Sequence, residues 1–190
     1  MTRARDDLDN EWMRKLAGGE ELALNRLMDA WSEPIIAYLT RLTSNAATAA
    51  DLAQETFVRV YRHRYRFSTS QKFSTWLFAI ATNLARNHAR WHDRHTETLL
   101  GHETLSNLPL TAAHAAPDER AIANECLIAV QNAVAELKHD LREVLILATW
   151  HGMSHSEIAR VQDTSEKAVE LRLYRARKML RELLADHIGS

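Results

Sequence analysis

The chain has 190 residues, of which 46% are hydrophobic and 26% charged, with only five Gly and three Pro. This composition excludes a fibrous repeat or a chain that is disordered throughout, and the scarcity of turn-forming residues favours helices. The single Cys excludes an internal disulfide, and no apolar run approaches the roughly 18 residues of a membrane helix, so we expect a cytoplasmic protein without direct membrane insertion.

The net charge of −1 conceals strong local imbalance. Residues 59–95 carry eight Lys and Arg against one acid, whereas residues 1–58 and 96–136 carry net charges of −4 and −5. A second basic cluster, residues 172–181, has five Lys and Arg and no acid. Two basic stretches flanked by acidic ones predict two surfaces that face a polyanion, although solvated helix faces could have the same composition.

Apolar residues recur at helical spacing in the first 95 residues and predict five helices. Gly18-Gly19 ends the first helix, and Ser32 is expected to cap the third, with Pro34 in its first turn. Residues 65–72 lose the period and are predicted to form a loop. The second to fifth helices are predicted at about 20–31, 32–42, 48–64 and 73–95. No alternation typical of strands occurs, so the fold is predicted to be all-α.

The helical pattern stops between Thr96 and Ala116, where Gly, Pro, Ser and Thr accumulate. A structureless stretch of about 20 residues would be unusual within one compact domain. We therefore predict two helical domains, residues 1–95 and 117–190, joined by a flexible linker at 96–116.

Residues 141–180 read as a helix, a Gly-containing turn, a short helix, a tight turn and a basic helix. Ser154 and Glu157 fit a capping box at the start of the short helix, and Ser165 can cap the last one. This order is typical of a helix-turn-helix, in which the last helix enters the major groove of DNA. An ordinary helical bundle with a basic surface would give a similar pattern.

Eight of the 13 aromatic residues lie between positions 57 and 91, interleaved with Arg and Lys. Aromatic rings stack on unpaired bases while cations follow the backbone, which predicts a surface for single-stranded nucleic acid. Rings at helical spacing are expected in the core instead. The loop residues Tyr65, Phe67 and Lys72 are therefore the better candidates for contact with bases.

Motifs in both domains resemble the extracytoplasmic-function (ECF) sigma factors of bacterial RNA polymerase. Asp51–Phe57 and residues 73–85 are similar to the first domain of that family, and Met153–Ala159 with Leu173–Leu180 is similar to the second. The resemblance covers both domains in the family's order. It implies a non-enzymatic protein that binds core polymerase, directs it to promoters and helps to melt the −10 element.

The resemblance also implies three groups of contact residues. The core polymerase is expected to contact Asp51, Gln54 and Glu55. The −10 element is expected to contact Tyr65, Phe67, Lys72, Asn83, Arg86, Asn87 and Arg90. The −35 element is expected to contact Ser165, Lys167, Glu170, Leu171, Arg172, Tyr174 and Arg175.

The chain departs from the family pattern in the helix that faces the −35 element. The family usually has a basic and then a small residue where this chain has Glu170 and Leu171. A Glu in the groove is repelled by the acceptors of guanine and prefers the amino group of cytosine. Asp163 replaces a turn Gly in addition. The promoter sequence that this chain recognises therefore cannot be inferred from that of other family members.

The resemblance implies an anti-sigma factor as a further partner, and no cofactor or small-molecule substrate is expected. His88, His92 and His95 have a spacing that could bind zinc or nickel, but they could equally extend the basic face, and we predict no metal site. The main alternative is a helix-turn-helix regulator that acts without core polymerase. A protein-interaction module with acidic surfaces is a third possibility.

Overall fold

The computed structural model describes residues 3–96 and 117–185, and those ranges contain eight α-helices, one short 3-10 turn and no strand. The helices are α1 (Arg3–Ala17), α2 (Leu22–Thr43), α3 (Ala46–Arg62), α4 (Phe73–Thr96), α5 (Pro117–Glu136), α6 (His139–Thr149), α7 (His155–Gln162) and α8 (Glu166–Leu183). The all-α prediction is confirmed. Residues 97–116, most of the predicted linker, lie outside the described residues. No helix in the described ranges is long and apolar enough to cross a membrane.

Helix α2 is continuous, so the two separate helices predicted for residues 20–31 and 32–42 were wrong. Pro34 has no amide hydrogen, which leaves the carbonyl of Ala30 without its helical donor. The guanidinium of Arg5 in α1 supplies the missing bond, with 2.7 Å between Nη2 and that oxygen. The same guanidinium lies over the Trp31 ring at 4.4 Å. A contact from another helix therefore allows α2 to continue past the proline.

The caps predicted in the second domain are present. The Ser154 side chain accepts from the Glu157 amide, and the Glu157 carboxylate accepts from the Ser154 amide, which completes the capping box at α7. The Ser165 side chain accepts from the Ala168 amide at the start of α8. Asp163 ends α7 at φ 52°, in the left-handed region that Asp tolerates better than most residues. The turn of the helix-turn-helix thus forms without the Gly that the family usually has there.

The first domain (α1–α4) and the second domain (α5–α8) pack directly against each other. Apolar residues of both domains, among them Phe78, Leu147 and Met153, belong to one buried cluster. The His151 ring lies 4.6 Å from Phe78 and 5.7 Å from Tyr38, measured between ring centroids. We call this packing of the two domains the closed arrangement.

Candidate nucleic-acid interface

The three residues predicted to contact the core polymerase lie on the outer face of α3. Asp51 and Gln54 are exposed, and Glu55 is half-exposed. The Oε1 atom of Glu55 accepts from Nε of Arg59 at 2.9 Å, one helical turn further on. The opposite face of α3 is apolar and buried, as Phe57 shows with 4% exposure. The structure thus brings the three predicted residues together as one polar row.

The loop before α4 places its two aromatic candidates differently. Tyr65 is 68% exposed, and Arg64 lies over its ring at 4.4 Å while donating to its hydroxyl at 2.9 Å. Phe67 turns inward and packs on Phe73 and Trp76, with ring centroids 5.9 and 5.2 Å apart. Tyr65 is therefore accessible to a base, whereas Phe67 contributes to the core beneath the loop.

Lys72, the third loop candidate, lies between the two domains. Its Nζ atom is 2.8 Å from the carboxylate of Glu157 in α7 and 3.5 Å from that of Asp6 in α1. The hydrogen bond with Glu157 raises the pKa of Lys72. Burial acts to raise the pKa of Glu157, but hydrogen bonds from Lys72 and Ser154 hold it below its ordinary value. One carboxylate therefore caps α7 and also joins the domains.

Arg86 makes the second charged contact between the domains. Its Nε and Nη2 atoms donate to the two carboxylate oxygens of Glu143 in α6, which has no exposed surface. The same carboxylate accepts from Nε2 of Gln162 at 2.7 Å, and Nδ1 of His139 is 2.8 Å from it. Burial acts to raise the pKa of Glu143, but the bonds from His139 and Arg86 hold it below its usual value. Glu143 is therefore an ionised, hydrogen-bonded carboxylate inside the closed arrangement.

The remaining −10 candidates form an exposed stripe along α4. Asn83, Asn87 and Arg90 recur four and three residues apart and are all exposed, as are Trp91 and Arg94. Residues at this spacing lie on one face of a helix. This stripe faces solvent, whereas the side chain of Arg86 turns to the second domain.

Most −35 candidates lie on the exposed side of α8. The exposed members are Ser165, Lys167, Glu170, Leu171, Tyr174 and Arg175. Arg172 instead turns inward, where Nη1 donates to Oε1 of Gln162 at 2.6 Å and Nε lies 3.5 Å from Asp140. Arg172 thus holds α8 against α6 and α7.

The described residues contain no group of three or more His, Cys, Asp or Glu that could hold a metal ion. The rings of His88 and His92 are 6.2 Å apart between centroids and are tilted by 33°. His95 does not join them, because its ring stacks on Trp91.

The chain matches two family models, Sigma-70 region 2 over residues 27–95 and Sigma-70 region 4 over residues 127–180. It is 34% identical over 176 residues to the RNA polymerase sigma factor CarQ of Myxococcus xanthus, which covers 92% of this chain and 96% of CarQ. It is 28% identical to the ECF RNA polymerase sigma factor SigW of Bacillus subtilis, covering 92% and 95% of the two chains.

The chain belongs to the ECF sigma factors.

A solved structure agrees with this assignment. The structure of CnrH in complex with the cytosolic domain of CnrY superposes with a TM-score of 0.70 at 27% identity, covering 95% of this sigma factor and 99% of CnrH. Sigma factors are initiation factors and not enzymes, and the two matched regions serve binding of core polymerase and promoter DNA.

Sequence reasoning missed the buried polar residues that join the two domains of the sigma factor. Glu143 shares a helix face with the buried Ile146 and Leu147, three and four residues further on. That spacing was a usable signal for a buried carboxylate. Arg142 was also missed, and its Nη1 atom donates to the Leu42 carbonyl at the end of α2, at 2.9 Å.

The buried His151 makes the stability of the sigma factor depend on pH. Its Nε2 atom is buried without a hydrogen-bond partner in the described residues. Burial and the nearby charge of Arg41 lower the pKa of His151 to about 4, whereas an unfolded His titrates near 6.5. Burial of the neutral His151 ring therefore carries no protonation cost above pH 6.5, and the free energy of unfolding falls as the pH drops from 6.5 towards 4. We expect a loss of about 2 kcal/mol in the free energy of unfolding at pH 5.

Urea titrations between pH 5 and 7.5 measure this dependence. The His151→Phe variant keeps a ring against Tyr38 and Phe78 and should lose less stability over that range than the parent. His155→Phe, at an exposed position, serves as the matched control and should follow the parent. Parallel pH profiles for His151→Phe and the parent would show that His151 is not buried as a neutral ring.

Proposed function

We propose that the polar row of α3 binds core polymerase, that the loop 65–72 with the α4 stripe contacts the −10 element, and that α8 reads the −35 element. The observation that carries this proposal is the separation of the three groups onto three exposed surfaces. Asp51 and Gln54 lie on α3, Asn87 and Arg90 on α4, and Lys167 on α8. Three partners could therefore be engaged at once without competing for a side chain.

The closed arrangement occupies some of the DNA candidates. Lys72 pairs with Glu157 and Arg86 pairs with Glu143, so neither cation is available to a phosphate while these contacts exist. Engagement of the −10 element through these two residues requires the second domain to move away from α4. Phosphate oxygens would then replace the two carboxylates as acceptors.

We also propose that an anti-sigma factor in the cytoplasm holds this sigma factor inactive. The complex of the related CnrH with the cytosolic domain of CnrY supports such a partner and such a location. A domain of this kind could bind across the closed arrangement and contact the first and second domains at the same time.

Co-purification with core polymerase tests the proposed function. The full chain is mixed with core polymerase in the absence of DNA and passed over a sizing column. A sigma factor elutes with core and then directs specific transcripts, which sequencing of the RNA made with and without the chain identifies. Binding to duplex DNA together with failure to bind core would instead establish a regulator that acts alone.

Glu170 is expected to determine part of the −35 preference. Its side chain is exposed in the half of α8 that approaches base edges, and it forms no ion pair within the described residues. Glu170→Arg should shift the selected base at one position from cytosine towards guanine, by about 1–3 kcal/mol. Selection from a randomised −35 library with holoenzyme measures the shift.

Glu182→Arg, near the other end of α8, gives the same change in charge and should leave the base preference unchanged. A uniform gain in binding by Glu170→Arg, with the same preferred bases, would show that Glu170 lies near phosphates and not near bases.

A further inference from the structure

The last turns of α4 carry an exposed pair of stacked rings. Trp91 is 54% exposed, and its ring lies parallel to that of His95, with 4.3 Å between centroids and 22° between planes. Nδ1 of His95 is 2.7 Å from the Trp91 carbonyl, which fixes the imidazole ring. A large flat surface is therefore left in solvent and is braced from one side.

Two cations flank this pair. Asn87, Arg90, Trp91 and Arg94 line one open groove along α4. Nε of Arg94 donates to the Arg90 carbonyl at 3.0 Å. Among the side chains that the structure describes, neither arginine forms an ion pair, in contrast to Lys72 and Arg86. The groove therefore presents a flat ring beside two guanidinium groups.

The chemistry of this groove fits a nucleotide better than a protein. One ring between two arginines is too small and too charged to bury the apolar face of a partner helix, which needs a row of apolar positions. A base has a flat face for the indole, and its two flanking phosphates suit the guanidinium groups. The groove also continues the stripe that begins at Asn83, which lies about 12 Å from Trp91 along the helix axis at 1.5 Å per residue.

We infer that Trp91, braced by His95, is a stacking platform for one unpaired base of the opened promoter strand, with Arg90 and Arg94 on the adjacent phosphates. This inference rests on the proposed function, because that function brings the opened strand to α4. The platform is distinct from the loop 65–72, and it stays exposed in the closed arrangement. It therefore adds a contact with the unpaired strand near the end of α4.

Binding of holoenzyme to two promoter probes tests the inference. One probe is fully duplex, and the other has an unpaired −10 strand of the same sequence. Trp91→Ala should weaken binding to the unpaired probe about tenfold, in line with the loss of one base stack. Binding to the duplex probe should change little. Trp91→Phe, which keeps a flat ring, should recover most of the affinity.

Abasic sites placed singly along the unpaired strand identify the contacted base. At one position, removal of the base should weaken binding of the probe by the parent about tenfold and leave binding by Trp91→Ala unchanged. Ile128→Ala removes a similarly exposed apolar side chain from α5 and should match the parent on both probes.

Three results would overturn the inference. These are an equal loss on both probes, no loss on either probe, or tighter binding by Trp91→Ala, which would mean that another part of the chain covers the ring. Affinity for core polymerase is measured separately for each variant. If the parent itself fails to bind core, the proposed function fails; if core binding is normal and the probes do not discriminate, only the platform fails.

Discussion

Glu143→Ala is expected to lower the free energy of unfolding by about 3–5 kcal/mol. The carboxylate of Glu143 has no exposed surface and accepts from Arg86 and Gln162, with His139 at its other side. Its removal leaves the partly buried Arg86 guanidinium without its acceptor and leaves the buried Gln162 amide with only the Asp140 carbonyl, at 3.3 Å. A buried donor that loses its acceptor costs free energy because water cannot reach it to replace the bond. Urea denaturation of the full chain measures the change through the midpoint and slope of the transition.

Two comparisons make this result specific. Glu136→Ala removes an exposed carboxylate at the end of α5 and should change stability by no more than about 0.5 kcal/mol. The double variant Arg86→Leu with Glu143→Leu should lose less than the sum of the two single variants, because neither charge is then left without its partner. If Glu143→Ala costs no more than Glu136→Ala, the buried network does not exist in solution.

Glu55→Lys is expected to weaken binding to core polymerase about 30-fold or more, which corresponds to at least about 2 kcal/mol. Under the proposed function, the reversal replaces an acidic acceptor in the polar row of α3 by a cation, which would repel a basic group of the polymerase that pairs with Glu55. It also places a Lys one turn from Arg59, a repulsion that costs the helix only about 0.5 kcal/mol. A titration of labelled protein into core polymerase gives the affinity, and circular dichroism checks that helicity is retained.

Glu11→Lys is the matched control for this reversal. Glu11 pairs with Lys15 one helical turn away in α1, at 2.8 Å, just as Glu55 pairs with Arg59. The control therefore makes the same change in net charge and breaks the same kind of local pair. Equal core affinity for Glu55→Lys and Glu11→Lys would remove α3 from the core-binding surface.

Local signals in the sequence were sufficient for most of the helices. The side chains of Ser154 and Ser165 reach donors only three residues away, so their caps could be identified from neighbours in the chain. Helical spacing likewise predicted that Phe73 is in the core, and it is fully buried. Such features depend on a few adjacent residues, which is why a single sequence is enough to recognise them.

Contacts between distant residues could not be predicted from the sequence. The continuity of α2 depends on Arg5, 25 residues before the carbonyl it contacts. The inward position of Arg86 depends on Glu143, 57 residues away. A basic residue on a basic helix is expected to be exposed when no acceptor is near it in the sequence. The acceptor of Arg86 comes from the other domain, so the sequence around Arg86 does not indicate it. Arg172 was likewise predicted on the DNA-facing side, although Gln162 of α7, ten residues earlier in the same domain, holds it inward.

The two ion pairs between the domains have a consequence for measured affinities. If a partner requires Arg86 and Lys72, only the fraction of molecules in which the domains have separated can bind it, and the apparent dissociation constant rises by the inverse of that fraction. Each ~1.4 kcal/mol of contact energy between the domains then weakens apparent binding tenfold. Because the domains share one chain, raising the concentration of the sigma factor does not change this fraction. The Arg86–Glu143 and Lys72–Glu157 contacts therefore lower, by the same free energy, the apparent affinity of every partner that requires these two cations.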